Sequence, residues 1–212
     1  MPERFLIDLL TNNAGTLPAV PTAPDGAIMF ATTAGGADRF GVTDGNLLTG
    51  STVNSVSAIQ TDFYNCIEQW KQMEDGKGQP LLSSEAIDSG QIIFHAPENT
   101  EVFEEAFLQR RQGIVLGADA GTTPSNLMQD ASRTVQLWST ARLSGNDWYV
   151  FLKNPPKKAT FLVKREGVQE LQALEGDNNS DHVRDTGQEY VQWEERSGAG
   201  IALPFAAIMV NN

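Results

Sequence analysis

The final third of the sequence, residues 146–212, places the strongest limit on what this chain can fold into. It contains an aromatic segment, DWYVFLKN at 147–154, then a Pro-Pro break and a second apolar segment, ATFLVKREG at 159–167. After an acidic polar stretch, a last segment ends in GAGIALPFAAIMV at 198–210. Short runs rich in aromatic and β-branched residues, bounded by Pro, Gly and Asn, are typical of strands. Nothing in this order is typical of a catalytic site, and it predicts a region that packs against copies of the same chain.

Length and composition indicate a globular protein with one large domain or two small ones. The chain has 212 residues, of which 40% are hydrophobic, and this is enough to build a core. No run reaches the roughly 18 apolar residues of a membrane-spanning helix, and MPERFLIDLL lacks the features of a signal peptide. We therefore expect a cytoplasmic product that does not contact a membrane. The single cysteine, Cys66, excludes a disulfide within the chain and a cluster of thiolate metal ligands.

The charge balance argues against a protein whose main role is to bind nucleic acid. The chain has 27 acidic and 15 basic side chains, and its formal net charge at pH 7 is -12. Binding to phosphates requires clustered Lys and Arg, whereas the basic residues here are spread along the chain. We expect no specific binding of DNA, and a strongly acidic surface mainly favours solubility.

The clearest predicted helix lies between Thr52 and Asp75. Ser57 with Gln60 three residues later fits a capping box at its start, and the polar, glycine-rich cluster at 74–78 fits its end. Its apolar residues recur at steps of three and four, which predicts one buried stripe. The stripe consists of Val56, Ile59, Phe63, Ile67, Trp70 and Met73.

A strand, a second helix and another strand follow this helix. QIIFHAP at 91–97 predicts a short strand, and Pro97 suits the start of a helix that extends to about Gln112. TVQLWSTARL at 134–143 alternates as a half-buried strand does, and a Gly-Asn-Asp turn then leads into 147–154. These last two strands are predicted to be antiparallel neighbours. This second amphipathic helix is outlined by Val102, Phe103, Ala106, Phe107 and Arg110.

The remaining segments are predicted from turn-forming residues. The opening residues, 1–15, read as the end of a helix that Asn-Asn-Ala-Gly terminates. AIMF at 27–30 fits a short buried strand inside a long excursion rich in Gly, Pro and Thr. Two polar stretches, 31–50 and 117–130, are predicted to be long surface loops.

The residues able to carry acid, base or nucleophilic chemistry have a structural explanation at each position. Cys66 lies on or beside the apolar stripe, which favours a buried structural thiol over a reactive thiolate. His95 follows a strand directly before a helix, where a core or surface histidine is favoured over a catalytic one, and His182 lies in a solvated acidic loop. The carboxylates Asp177, Asp181 and Asp185 near His182 lack the spacing of a calcium loop.

Glycines and tryptophans also have structural explanations. The glycine-bearing stretches 35–41 and 117–123 match neither a phosphate-binding loop nor a dinucleotide fingerprint. Core packing is the favoured role of all four tryptophans. We therefore predict no catalytic residue, no cofactor-binding residue and no metal ligand. The tryptophans are Trp70, Trp138, Trp148 and Trp193.

The order of short motifs along the whole chain resembles one protein family. The motifs are PERFLIDLLTNN, DGAIMFATTAGG, GNLLTGS, EDGKGQPL, IIFHAPENTEVFEEAF, DWYVFLKN and EYVQWEERSGAGIALPFAAI. In this order they resemble the major capsid proteins of tailed bacteriophages, in particular the Mu-like major head subunit branch of the Hong Kong 97-type capsid fold. Each motif alone has low specificity, and their conjunction in order carries the resemblance.

The resemblance implies an α+β fold with a central mixed sheet flanked by helices and an elongated second lobe. It implies that residues 1–15 end the long helix of a peripheral domain, that 16–150 form an axial domain, and that 151–212 supply peripheral strands and the C-terminus. It further implies a structural subunit, not an enzyme, of an icosahedral head shell of a bacteriophage or prophage. Such subunits self-assemble through pentamer and hexamer contacts and enclose packaged DNA without binding it specifically.

The same resemblance implies partners and a location. The partners are copies of the chain, with scaffolding, portal or decoration proteins as further partners, and no membrane or cofactor. The location is the virion, after assembly in the cytoplasm of the bacterial host. An acidic surface is compatible with a shell that does not stick to the enclosed DNA.

The sequence departs from the family at its start, where the extended N-terminal arm and the long hairpin loop are absent. We therefore expect a truncated or processed form that is monomeric or weakly oligomeric. Two alternatives remain open: an encapsulin-like cellular shell protein, and, from a different class, a small hydrolase that uses His95. The hydrolase requires a pocket in which His95 reaches an acid or a hydroxyl, so a packed or exposed His95 counts against it.

Overall fold

The computed structural model describes residues 22–112, 135–155, 157–164, 172–173, 191–192 and 197–212. The described chain is mixed α+β, and short 3-10 turns precede or interrupt its elements at Arg39–Gly41, Pro97–Asn99 and Pro204–Ala206. The helices are α1 (Val56–Gln72), α2 (Ser84–Asp88) and α3 (Thr100–Gln112). The strands are β1 (Thr33–Ala34), β2 (Ala37–Asp38), β3 (Leu47–Thr49), β4 (Gln91–His95), β5 (Val135–Ser139), β6 (Trp148–Leu152), β7 (Thr160–Lys164), β8 (Gln172–Ala173), β9 (Val191–Gln192), β10 (Ser197–Ile201) and β11 (Ala207–Asn211).

A five-stranded mixed sheet forms the centre of the described structure, as predicted. Its strand order is β3-β11-β6-β4-β5. The two outer pairs, β11 with β3 and β4 with β5, are parallel, and β6 runs antiparallel to both of its neighbours. Three further pairs form two-stranded sheets, β1 with β2, β7 with β10, and β8 with β9.

The prediction that 134–143 and 147–154 form antiparallel neighbours is wrong. β4 lies between β5 and β6, with Ile93 opposite Leu137 on one side and opposite Val150 on the other. The chain passes from β4 through α3 before it enters β5, and a crossover of this kind places the two strands parallel. After β5, the turn at 145–147 therefore takes the chain across β4, and β6 pairs with the other edge of β4.

The segment 27–30 is only half buried, since Ile28 is 39% exposed, and it is not the predicted strand. Met29 and Phe30 are fully buried, while the backbone around them forms bends and turns. The carbonyl oxygens of Ile28 and Met29 accept hydrogen bonds from the Arg39 side chain at 2.9 Å. A side chain therefore satisfies the polar groups that a neighbouring strand would otherwise satisfy.

The apolar stripe of α1 is confirmed, but its predicted capping box is not. Ser55, in extended backbone conformation, is the N-cap, and its Oγ accepts from the Ala58 N–H at 3.3 Å. Ser57 already lies inside the first turn, and Gln60 donates through Nε2 to the Ala106 carbonyl on α3. Ile59, Phe63, Ile67, Trp70 and Met73 are all buried.

The short helix α2 was not predicted, although its start carries an N-cap. Ser83 precedes it in extended conformation, and its Oγ accepts from the Ala86 N–H at 3.2 Å. Five residues are too few to display a helical period in the sequence. Neither α2 nor any other described helix is long and apolar enough to cross a membrane.

Helices α1 and α3 cover one face of the central sheet through aromatic contacts. The Phe103 ring stacks on His95 with 4.6 Å between centroids and meets Trp148 edge-on at 5.4 Å. Phe63 and Phe107 join the two helices in an edge-to-face contact at 5.3 Å. The predicted amphipathic face of α3 is confirmed at Phe103, Ala106 and Phe107, which are buried, while the side chain of Arg110 lies outside the described part of the structure.

Among the described residues, cover for the opposite face of the sheet lies at one end only. Phe30 lies against Tyr149 with 5.5 Å between ring centroids, so the segment before β1 covers the sheet there. Towards the β5 edge, Phe94 contacts Phe151 at 5.5 Å and Trp138 at 6.1 Å. The Trp138 side chain is 58% exposed, so this end of the face is open.

The C-terminal segment 189–210, predicted as one strand, contains three described strands, β9, β10 and β11, which pair in three different sheets. Pro204 lies in a 3-10 turn between β10 and β11, because proline cannot supply the N–H that a continuous ladder needs. The last strand, β11, lies inside the central sheet, although its residues belong to the segment 151–212 that the resemblance assigns to the peripheral part. The division into three domains stays a prediction. The helix end at 1–15 lies outside the described residues.

Candidate interaction surface

Strands β7 and β10 form an antiparallel ribbon whose apolar side chains face solvent. Phe161, Leu162 and Val163 are 48%, 42% and 54% exposed. Successive side chains of a strand point to opposite faces, so Phe161 and Val163 share one face while Leu162 lies on the other. An isolated two-stranded ribbon is at best marginally stable in water. Three consecutive exposed apolar side chains on such a ribbon are typical of a surface that another chain covers.

The partner strand β10 contributes small residues, which keep the ribbon thin. Gly200 lies opposite Phe161, and a Cβ placed on Gly200 would come within 2.5 Å of the Phe161 Cζ atom. The Phe161 ring therefore lies directly over the Gly200 backbone. At Gly198, opposite Val163, a Cβ would meet no atom within 4 Å. This face thus offers an aromatic ring and a branched side chain next to accessible backbone.

The base of the ribbon is anchored in the core. Ala159 and Ile201 are 4% and 7% exposed. The Ala159 carbonyl accepts from the N–H groups of Ala202 at 2.8 Å and Leu203 at 3.3 Å. Exposure therefore increases from a fixed base towards Phe161, Leu162 and Val163.

The ribbon and the segment before it are basic, in contrast to the acidic chain. Residues 153–164 include Lys153, Lys157, Lys158 and Lys164 and no Asp or Glu. Lys157 and Lys158 are exposed, and Lys158 Nζ donates to the carbonyl of Lys153. The ribbon therefore combines positive charge with exposed apolar side chains.

An acidic groove lies between α1 and the edge strand β3. Its volume is about 280 Å³, and Leu48 and Val210 supply its apolar part. Three carboxylates line it, those of Asp44, Asp62 and Glu68, and no lysine or arginine is among the described residues that line it. Amide side chains of α1, including Gln69 and Gln72, complete the lining.

Asp62 fixes the inner wall of this groove. It is 6% exposed, and its Oδ2 accepts from the Ser51 N–H at 3.0 Å. Glu68 lies nearer the solvent and pairs with Lys71 at 2.8 Å, a contact between side chains that are 60% and 46% exposed. Exposed pairs of this kind contribute little to stability, so Glu68 can exchange its partner easily.

A buried polar network holds the segment 22–49 against the end of the chain. Arg39 is 2% exposed and binds Asp25 through Nε at 2.8 Å and Nη2 at 3.1 Å. Its Nη1 donates to Asn46 Oδ1 at 2.9 Å. Asn46 in turn donates through Nδ2 to the carbonyls of Pro204 at 3.0 Å and Ala207 at 3.2 Å. The network therefore ties the glycine-bearing stretch 35–41 to the start of β11.

The pKa of Asp25 reports on this network. Burial alone would raise the pKa of this carboxyl group, but hydrogen bonds from the Arg39 side chain and the Ala27 N–H outweigh it. The net effect holds the pKa below its ordinary value of 3.8. Asp25 is thus a charged structural partner of Arg39.

His95 is packed in the core, one of the two non-catalytic environments, core or surface, that the sequence predicts. It is 1% exposed, its ring stacks on Phe103, and its Nδ1 lies 2.9 Å from the Ala96 carbonyl, to which it donates. Neither ring nitrogen bonds a carboxylate or a hydroxyl within the described part of the chain. Burial lowers the pKa of this histidine and outweighs the opposing influences of the Ala96 carbonyl and Glu104. This geometry counts against the hydrolase alternative.

Cys66 is fully buried in α1, as predicted. Burial, with a smaller effect of the nearby Asp62 charge, raises the pKa of its thiol far above the ordinary value. A protonated buried thiol is not a nucleophile. Burial likewise raises the pKa of Tyr149, with a smaller effect of Asp147.

The tryptophans divide between core and surface. Trp70 and Trp148 are buried as predicted, and Trp70 Nε1 donates to the Phe205 carbonyl at 2.9 Å. The prediction for Trp138 is wrong, because β5 is an edge strand and the face on which Trp138 lies is uncovered there. Trp193 lies outside the described residues.

Several sequence-predicted positions lie outside the described structure. They include the loop 117–130 and the acidic stretch that contains His182. Within the described ranges, no group of three or more His, Cys, Asp or Glu side chains is arranged to hold a metal ion. The sequence did not point to the ribbon exposure, the acidic groove or the Arg39 network. For the ribbon, one signal was available in the sequence: residues 153–164 contain four lysines and no acidic residue.

Comparison with known proteins identifies no family. No family model matches the sequence, and no curated protein matches it. Among solved structures, the chain is similar to one described as the crystal structure of a virus-like particle from Pyrococcus furiosus, with 11% sequence identity and a TM-score of 0.43. The similarity covers 78% of this chain and 54% of that chain, so this chain spans about half of its length. A similarity of this size establishes neither a shared family nor a shared function.

Proposed function

We propose that this chain is a structural subunit of an icosahedral head shell of a bacteriophage or prophage. In this role it self-assembles through pentamer and hexamer contacts, encloses packaged DNA and carries out no chemical step. The order of motifs along the sequence supports the proposal, as does the mixed α+β fold around a central sheet.

One observation carries the proposal. The ribbon of β7 and β10 exposes Phe161, Leu162 and Val163 on a base that is fixed in the core. A chain that acts alone in water is expected to cover or replace such side chains, whereas a shell subunit buries them against its neighbours. The packed environment of His95 and the buried thiol of Cys66 agree with a structural role.

The test is electron microscopy of this chain and of the complete product of its gene. We expect closed shells of uniform size from the complete product, with nucleic acid inside particles purified from the host. Shells that contain only protein would instead favour the encapsulin-like alternative. A complete product that stays monomeric at millimolar concentration, by light scattering, would overturn both forms of the proposal.

A further inference from the structure

The ribbon segment and the acidic groove are complementary in charge. The stretch before the ribbon exposes Lys157 and Lys158, the ribbon itself exposes Phe161 and Val163, and the groove presents three carboxylates. Both are open within one copy of the chain, so a contact between them joins two copies. We propose that the ribbon of one copy docks into the groove between α1 and β3 of the next copy.

Lys157 is the side chain of the ribbon segment best placed to enter the groove. It is exposed, whereas the neighbouring Lys158 already donates to the Lys153 carbonyl. A cavity of about 280 Å³ is large enough for one lysine side chain. Inside it, the ammonium group meets the carboxylates of Glu68 and Asp44. The buried carboxylate of Asp62 makes the groove walls strongly negative, which favours a cation over a neutral group.

The apolar side chains of the ribbon supply the rest of the contact. Phe161 and Val163 lie on the same face of the ribbon and cover the groove rim, because Leu48 and Val210 are 8% and 0% exposed and leave little apolar surface inside the groove. Aromatic side chains at the centre of an interface usually carry most of the binding energy, and charge pairs mainly set the register. Phe161 is therefore the expected anchor and Lys157 the residue that selects the partner site.

The geometry of this contact has a consequence for assembly. The ribbon and the groove are different surfaces, so each copy uses one with the copy before it and the other with the copy after it. Contacts of this heterologous kind generate rings when the rotation between copies closes. The inference rests on the proposed shell function and names the surfaces that join neighbouring copies.

Nucleic acid is the other occupant that a basic ribbon with an exposed aromatic ring can attract. The surface favours protein, because three consecutive apolar side chains accompany the lysines and the chain as a whole carries a net charge of -12. A matching acidic groove on the same chain adds to this preference.

The experiment compares the full chain with charge-reversed variants by sedimentation velocity from micromolar to millimolar concentration. We expect Glu68→Lys and Lys157→Glu each to weaken self-association by about tenfold or more, because like charges then face each other. The double variant carries a reversed pair at every contact and is expected to recover most of the lost affinity. Glu101→Lys, an exposed change on α3 outside the groove, is the control and is expected to associate as the parent does.

The outcomes separate this inference from the proposed function. If the parent assembles and neither single variant weakens assembly, or the double variant is no better than the single ones, the docking inference is wrong while the shell function stands. If the complete gene product never assembles, both fail. If Lys157→Glu abolishes binding of a labelled single-stranded oligonucleotide but leaves self-association unchanged, the ribbon is a nucleic-acid surface and the inference is overturned.

Discussion

The network around Arg39 places polar side chains in the core, whereas the ribbon of β7 and β10 places apolar side chains in water. In the network, Arg39 and Asn46 are buried, and each finds partners within the chain, among them the partly exposed Asp25. In the ribbon, apolar groups are exposed, and a fixed backbone presents them to solvent. A buried charge requires internal partners to be tolerated, whereas an exposed apolar cluster is tolerated at a cost that a partner removes. The first region therefore serves stability, and the second serves binding.

The largest expected difference is between the hydrophobic core and the ribbon, when the same type of side chain is removed from each. Phe103→Ala empties a fully buried position between His95 and Trp148, and we expect the free energy of unfolding to fall by about 3–5 kcal/mol. Phe161→Ala removes a ring that is 48% exposed, and we expect a loss of about 1 kcal/mol or less. Urea denaturation of dilute monomeric protein measures both. Equal losses in the two variants would contradict the assignment of Phe161 to an interaction surface.

The next comparison is between the two ion pairs. Arg39→Met removes the partner of Asp25 and leaves the Ile28 carbonyl without its donor, so we expect a loss of about 2–3 kcal/mol in the free energy of unfolding. The expected loss is below the full value for a buried pair, because the Asp25 side chain is 30% exposed. Lys71→Met is the control, and its exposed pair with Glu68 predicts a loss of less than about 1 kcal/mol. A near-zero effect of Arg39→Met would show that the network does not stabilise the fold.

The apolar stripe of α1 and the Arg39 network differ in how far the sequence alone predicts them. The stripe of α1 was predictable because the apolar period is local, and each of its buried residues was named from spacing alone. The Arg39 network was not, because Asn46 reaches Pro204 across 158 residues, and only the assembled fold brings them together. The same limit explains the misplaced β5, since pairing with β4 depends on the path of α3 rather than on the strand sequence.

The surfaces were the least predictable part of the molecule. Alternation shows which side chains share a face, but it does not show whether another layer covers that face. Trp138 was predicted to be in the core for this reason, and the structure places it on an open edge. Phe161, Leu162 and Val163 look in the sequence like any buried strand. Only the absence of a third described strand beside β7 and β10 distinguishes them.

A third prediction concerns pH and the packed histidine. Burial lowers the pKa of His95 below its ordinary value of 6.5, so the unfolded chain binds a proton more readily than the folded chain. The stability contributed by neutral His95 is therefore complete above about pH 6.5 and is lost as the pH falls through the lower pKa of the folded state. We expect thermal stability to decrease on acidification across this window.

His95→Phe keeps an aromatic ring against Phe103 and removes the titrating group. We expect this variant to lose part of the pH dependence just below pH 6.5, when melting temperatures are compared at matched ionic strength. Asp25→Asn is the control, because a carboxyl group with a pKa below 3.8 does not titrate in this range. An unchanged pH profile in His95→Phe would show that other groups set the acid sensitivity.

The smallest expected effect concerns a single methyl group on the ribbon. In Gly200→Ala the new Cβ collides with the far end of the Phe161 ring, which can rotate away at little cost, so stability should change by less than about 1 kcal/mol. Gly198→Ala adds its methyl group in open space and is expected to leave the ring in place.

Proton NMR distinguishes the two variants, because an aromatic ring over the backbone shifts the Hα signal of residue 200 upfield. That shift should disappear in Gly200→Ala and persist in Gly198→Ala. Only the first variant is then expected to weaken self-association, since it moves the anchor side chain without altering any charge. Loss of association in both variants to the same extent would instead indicate that accessible backbone, rather than the Phe161 ring, is what the partner contacts.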